Sequence, residues 1–272
     1  MITQRIRVGD YDCWALPDGD LIYPGSMLLP PEGNLPSEVL VPYTALLVDT
    51  GAAKVLVDTG AGALGPATGK LIGNLAASGF APEDVDVVVL SHAHPDHIGD
   101  LSHFRNAVVT MTTAEFSFWM AGETDARLRA NELYGIGALE HLMADSIRDH
   151  LAPAKDRIEL IDGPTEVASG VLLFPAAGHT PGHAAVLVSS GRQQLLYVGD
   201  ALIHPAQFEN PAWISAFDLA PTQTVETRKA LLDRAVADRC MLAAFHLPGA
   251  VGFAERRQSS YRWQPLCGVG TV

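Results

Sequence analysis

Within six positions the chain carries His92, His94, Asp96 and His97, side chains whose nitrogen and oxygen lone pairs bind divalent metal ions. His179, Asp200 and His246 add donors farther along, most of them where an apolar run ends. On an extended segment, residues two apart point the same way, so His92 and His94 can grip one ion. Asp96 and His97 fall in the following turn and can face a second. Imidazole combined with carboxylate suits Zn²⁺, with Mn²⁺, Co²⁺ and Fe²⁺ chemically admissible. Asp200 closes the run Leu195-Leu196-Tyr197-Val198-Gly199, and its carboxylate can bridge two ions that share one hydroxide. Such a metal-bridging hydroxide forms near pH ~7 and attacks a lactone or ester carbonyl. A phosphotriester with a phenoxide leaving group uses the same nucleophile, so the donor types leave carbon and phosphorus substrates both open. Asp96 and Asp200 are the expected catalytic carboxylates, Asp96 also as carrier of a proton to the leaving group. The alternative from another class is a metal-dependent binding or sensing protein without turnover.

These side chains need rigid supports, and the pattern supplies them. Val85 to Leu90 is an apolar, β-branched run expected as a strand covered on both faces, and it feeds straight into Ser91-His92. Leu46–Asp49 and Val55–Asp58, each closed by Asp-Thr-Gly, read as a hairpin. Ile6–Val8 and Cys13–Leu16 alternate like strands, and Pro24 to Pro42, with five prolines, reads as a loop bordering a site. Ala67 to Ser78 has helical periodicity, with Gly79 closing it. Beyond a strand at Ala107–Met111, Thr113 to His150 reads as mostly helical. Strands follow at Val171–Phe174, Ala184–Val188 and Leu195–Val198, then a helix near Thr224–Ala237 and a strand near Met241–Phe245. Arg256 to Val272 reads as a short irregular tail. No low-complexity linker divides the chain, so residues 1–272 are expected to form one domain.

Composition narrows the class. Of 272 residues, 48% are hydrophobic and 18% charged, as in a globular protein with a sizeable core. A formal charge of −13 opposes broad contact with nucleic acid. Cys13, Cys240 and Cys267 lack CxxC spacing, which points away from a disulfide framework and towards a reducing compartment. With no secretory leader pattern and no apolar stretch near ~18 residues, a cytoplasmic protein without membrane contact is expected.

His92, His94, Asp96 and His97 also match the HxHxDH motif in full, and on that basis the sequence resembles the metallo-β-lactamase superfamily. The resemblance implies an αββα sandwich, an α/β fold of two mixed sheets flanked by helices. It implies one metal held by His92, His94 and His179, another by Asp96, His97 and His246, and Asp200 between them. His179 lies in Gly178-His179-Thr180-Pro181-Gly182-His183; Asp58 and His183 are implied as supports behind the ligands. A small-molecule substrate and a homodimer follow from the same resemblance.

Within the superfamily, His97 stands where common β-lactamases carry arginine, and no cysteine lies near Asp200. The likeness is nearest to methyl parathion hydrolase and the aryl-lactone (dihydrocoumarin) hydrolases. Asp58-Thr59-Gly60-Ala61-Gly62, Asn106–Val109, Glu115-Phe116-Ser117-Phe118-Trp119, Ala206-Gln207-Phe208 and Glu226–Lys229 carry it. Ile203 stands where quorum-quenching lactonases usually have tyrosine, which disfavours acyl-homoserine lactones, and the Arg256–Val272 tail does not resemble the helical glutathione region of glyoxalase II; acyl-homoserine lactone or thioester hydrolysis is the alternative within the fold. Trp119, Leu64, Tyr134 and Ile203 are the expected walls of the substrate pocket. Phe116 and Phe118 are read as core.

Overall fold

The computed structural model describes residues 2–28, 36–121 and 137–266, and of residues 28 and 137–142 the backbone alone. Tyr134 and Cys267 lie outside the described residues. The first sheet runs in chain order: β1 (Gln4–Val8), β2 (Tyr11–Pro24), β3 (Glu38–Asp49), β4 (Lys54–Val57), β5 (Val87–Val89), β6 (Val108–Thr112) and β7 (Ile158–Ile161). The second comprises β8 (Thr165–Ala168), β9 (Val171–Pro175), β10 (Ala184–Ser190), β11 (Gln193–Tyr197), β12 (Met241–Ala243), β13 (Val251–Arg257) and β14 (Ser260–Pro265). Both are mixed: β4, β5, β6 and β7 are parallel, β11 and β12 are parallel, and the other neighbours are antiparallel. Helices α1 (Gly25–Leu28), α2 (Leu71–Ala77), α3 (Pro95–Ile98), α4 (Thr113–Met120), α5 (Gly137–Leu151), α6 (Ala206–Glu209) and α7 (Pro221–Asp238), with five short 3₁₀ turns, complete the described elements.

Alternation along the strands explains the layering. Successive side chains of a strand point to opposite faces. Val55, Val57 and Val89 join Val186, Val188, Leu195 and Tyr197 in a core between the sheets. Their neighbours Leu56 and Val88 turn outward to Leu71, Leu75, Trp119, Ile147 and Leu151 of the helices. Leu187 and Leu196 likewise face Phe208, Leu231 and Leu232. Three cores separate four layers, helix, sheet, sheet, helix, which agrees with the expected α/β sandwich.

The structure departs from the sequence reading at both ends of the chain. Glu38–Asp49 is a continuous strand, so Pro24 to Pro42 is not one loop: Val39 and Val41 face the inter-sheet core and override the prolines. The Arg256–Val272 tail begins instead as a hairpin, β13 pairing β14 from Gly252↔Pro265 to Arg257↔Ser260, with Tyr261 buried beneath it. Helix α2 starts at Leu71, not Ala67, because the Asp18 carboxylate crosses from β2 to accept the Leu71 and Ala61 amides at 2.8 and 2.7 Å. A register shift between Pro17 and Gly19 aims Asp18 inward. No described helix is long and apolar enough to cross a membrane.

Candidate metal centre

The parallel strands of both sheets end at one place. Beyond the C-terminal end of β5 come Ser91 to His97, beyond β4 Asp58, beyond β11 Asp200 and beyond β12 His246; His179 lies on the β9–β10 connection. All seven expected donors converge there. One ligand atom from each of His92, His94, His179 and Asp200 lies within 4.8 Å of the others, and the same holds for Asp96, His97 and His246. Asp200 touches both groups: its Oδ2 lies 3.3 Å from His179 Nε2 and 3.2 Å from His246 Nε2, and its Oδ1 lies 3.2 Å from His97 Nε2. Asp96 Oδ2 reaches His246 Nε2 at 3.3 Å.

Four of the five imidazoles are oriented from behind by their other nitrogen, while His94 Nδ1 faces His179 Nε2 at 3.0 Å within the cluster. His97 Nδ1 meets Asp58 Oδ2 at 2.8 Å, His179 Nδ1 meets Asp218 Oδ1 at 2.9 Å, and His246 Nδ1 meets the Pro42 carbonyl at 2.9 Å. His92 Nδ1 lies 3.1 Å from Ser91 Oγ. The inward atoms His92 Nε2, His97 Nε2 and Asp200 Oδ1 are buried and make no hydrogen bond among the described residues. Buried polar atoms left without partners carry a free-energy cost unless something else binds them. Imidazole and carboxylate donors converging with free lone pairs, anchored from behind, fit divalent cations.

Electrostatics agrees with that fit. Burial, then the neighbouring imidazoles, holds His92 and His94 well below the ordinary histidine range, so both offer neutral lone pairs. Burial pulls His246 the same way, but Asp200 and Asp96 overcome it and lift His246 to about 9. His97 is raised for the same reason, by Asp200, Asp58 and Asp96 against burial. Positive charge is therefore demanded at this point, by protons or by cations.

Asp58 and His183 contact the ligand residues from behind. Asp58 sits at φ +62°, a left-handed conformation costing a residue with a side chain about 1–2 kcal/mol. Its carboxylate accepts from Ser91 N and Oγ, both at 2.8 Å, and from Tyr197 Oη at 2.6 Å, besides facing His97. His183 Nε2 accepts from the Asp200 amide at 3.0 Å, and burial first lowers this histidine to about 4, keeping it neutral. Gly199, at φ +48°, precedes Asp200 because a Cβ there would lie 2.6 Å from His183 Nε2.

A cavity of about 280 Å³ opens on the cluster. Leu64 and Ile203 line it, with Leu21, Tyr23, Val41 and Phe217. No lysine or arginine is among its described lining residues. Trp119 is the correction: fully buried, it is absent from the lining and stands behind His94, ring centroids 5.7 Å apart. Its Nε1 donates to Glu115 Oε1 at 2.7 Å, one helical turn back, which turns the indole into the core. Phe118 packs edge-on to it in that core. His204 is half-buried, is not among the lining residues, and accepts from the Ala206 amide.

Sequence reasoning missed Glu115, Asp218 and the tyrosine pair Tyr23 and Tyr43. Glu115 Oε1 also accepts from the Ala93 amide, and Oε2 from Thr180 Oγ1 and the Gly182 amide, tying α4 to both ligand loops. Burial pushes this carboxyl above the usual range against the pull of those donors. Gly182 must be glycine, since a Cβ there would lie 2.0 Å from Glu115 N. A lone acid directly before the largely apolar stretch Phe116–Trp119 was the available signal. Asp218 offered none, standing 39 residues from the histidine it orients.

Residues 39–244 match the family model described as metallo-beta-lactamase superfamily. A probable metallo-hydrolase of Mycobacterium tuberculosis is 33% identical over 181 residues, covering 58% of this chain and 56% of that protein. An N-acyl homoserine lactonase of a Bacillus species is 27% identical over 150 residues, covering 55% and 51%. The chain thus spans about half the length of the curated relatives it matches. Among solved structures, a hydrolase named AbOPH superposes with a TM-score of 0.89 at 27% identity over 99% of both chains. AidC, a dizinc quorum-quenching lactonase seen with its N-hexanoyl-L-homoserine product, gives 0.89 at 24% identity over 98% of both, a likeness of fold.

Proposed function

Because the chain belongs to the metallo-beta-lactamase superfamily, we propose that it is a dinuclear metal-dependent hydrolase of neutral, apolar esters, with lactones and aryl esters as the substrate class. The observation that carries this reading is the seven-donor cluster at the floor of an apolar cavity. His92, His94 and His179 would hold one divalent cation, Asp96, His97 and His246 the other, with Asp200 shared. When bound, such cations supply hydroxide near neutral pH and polarise an acyl oxygen. The residues do the rest. Leu21, Val41, Leu64, Ile203 and Phe217 take up an apolar substituent and keep water from it. Asp58, Asp218 and the Pro42 carbonyl fix the imidazoles so that their lone pairs face inward. Asp96, only partly buried and facing the cavity, is placed to pass a proton to the departing oxygen.

Charge discriminates among the family's substrates. β-Lactams and glutathione thioesters carry carboxylates, and the described cavity wall offers them no cation besides the centre itself. Neutral lactones need none. The likeness of Asp58–Gly62 and Glu115–Trp119 to the aryl-lactone and methyl parathion hydrolase branch supports the same class. The test is metal analysis of the purified protein, then hydrolysis of aryl lactones, aryl esters, acyl-homoserine lactones, a phosphotriester, a thioester and a β-lactam. Two equivalents of metal with fastest turnover of a neutral lactone or aryl ester is the expected result. Two bound metals with no turnover of any substrate would sink the hydrolase reading.

A further inference from the structure

Two tyrosine hydroxyls meet at the edge of the cavity, Tyr23 Oη and Tyr43 Oη, 2.7 Å apart. They carry two protons, and only one can lie between them. The Tyr43 side chain is fully buried and its hydroxyl has no other partner among the described residues. Were Tyr23 the donor, the Tyr43 proton would be buried without an acceptor, an arrangement that costs about 1–3 kcal/mol. Tyr43 therefore donates and Tyr23 accepts. The Tyr23 proton is left free, and Tyr23 lines the cavity beside Asp96, Asp200 and His246. No hydrogen bond joins that hydroxyl to a carboxylate of the cluster among the described residues.

Both rings are fixed. Tyr43 stands edge-on to His246 at 5.2 Å between centroids, and Tyr23 stands edge-on to Phe217 at 5.9 Å. The backbone fixes them too, since Tyr23 on β2 and Tyr43 on β3 belong to neighbouring antiparallel strands. We propose that Tyr23 is a catalytic hydrogen-bond donor to the acyl oxygen of the substrate, held on station by Tyr43. The assignment rests on the reading of the cavity as an ester and lactone site. Burial raises the Tyr23 hydroxyl above the ordinary tyrosine range, so it keeps its proton. A donor that keeps its proton suits an oxygen on which charge develops and is later withdrawn; a departing alkoxide needs a proton outright. Ile203, an aliphatic side chain on the opposite sheet's loop, offers the substrate no hydrogen bond from its side chain.

The experiment compares wild type, Tyr23→Phe and Tyr43→Phe with metal content measured for each. On a neutral ester or lactone, Y23F is expected to lose at least ~10-fold in kcat with KM changed little, and Y43F to lose less. A non-hydrolysable lactam, N-hexylpyrrolidinone, gives a readout without turnover: its affinity falls about 5-fold in Y23F. A Y23F protein that matches the wild type in lactam affinity and in kcat overturns the assignment. So does a fall in kcat matched by a fall in bound metal, which marks a purely structural side chain. If the wild type cleaves no ester or lactone, the functional reading falls and the lactam comparison alone decides Tyr23.

Discussion

Replacing Asp218 by Asn tests how the cluster is held without touching a donor. In the native protein the buried carboxylate accepts from His179 Nδ1 at 2.9 Å through Oδ1 and from the Ser215 amide at 2.8 Å through Oδ2. That bond keeps the proton on Nδ1 and the lone pair on Nε2, 3.0 Å from His94 Nδ1 and 3.3 Å from Asp200 Oδ2. Asparagine has one acceptor for two donors. If its oxygen stays with Ser215, the amide NH₂ faces His179 and favours the tautomer whose proton points into the cluster. If the amide flips, the Ser215 N–H loses its acceptor. A buried bond to a charged group contributes about 1.5–3 kcal/mol. Loss of an orienting partner lowers metal affinity by about 10- to 100-fold, or ~1.4–2.8 kcal/mol, in agreement. Competition against a chelating dye at fixed pH measures it directly. Metal affinity within twofold of wild type in D218N would refute the orienting role.

Trp119→Phe removes the bond to Glu115 and is expected to lower stability by about 2 kcal/mol while leaving the order of preferred substrates unchanged; a thermal melt and the substrate panel check both, and a changed order would return Trp119 to the pocket. Leu64, 47% exposed at the cavity, is expected on mutation to Ala to raise KM about 3- to 10-fold for apolar substrates, with stability within ~0.5 kcal/mol of wild type. For the chelated, metal-free protein, His246 is raised from 6.5 to about 9, so its contribution is complete below pH 6.5 and disappears as pH climbs through 9. Melting temperature of that form is expected to fall across this window, and a flat profile would contradict it.

What could be read in advance depended on range. His92 to His97 lie in one short stretch after an apolar run, so both their chemistry and their support were visible in sequence order. His179, Asp200 and His246 were legible because each carries its own local signature at or near the end of a strand-like run. Asp218, Glu115 and the Tyr23–Tyr43 pair were not, because their meaning arises only when distant segments meet: Thr180 reaches Glu115 across 65 positions. Trp119 shows the converse error. Its aromatic character suggested a wall, yet a neighbour one turn away fixed it inward. At the ends, proline content and irregular composition argued for loops at Pro24–Pro42 and Arg256–Val272, where burial of Val39, Val41 and Tyr261 favoured strands.

The donors are divided between the two sheets: His92, His94, Asp96 and His97 follow β5, while His179, Asp200 and His246 belong to loops of the second sheet. Neither half could retain a cation alone, because each proposed ion takes side chains from both. A bound ion would then be a removable crosslink closing loops as long as the 150-residue interval from Asp96 to His246. Unfolding would have to break that link before the sheets could part, so the protein's lifetime against proteases would follow the metal supply of its surroundings. Scarcity of metal would then remove the protein itself, through turnover, as well as its chemistry.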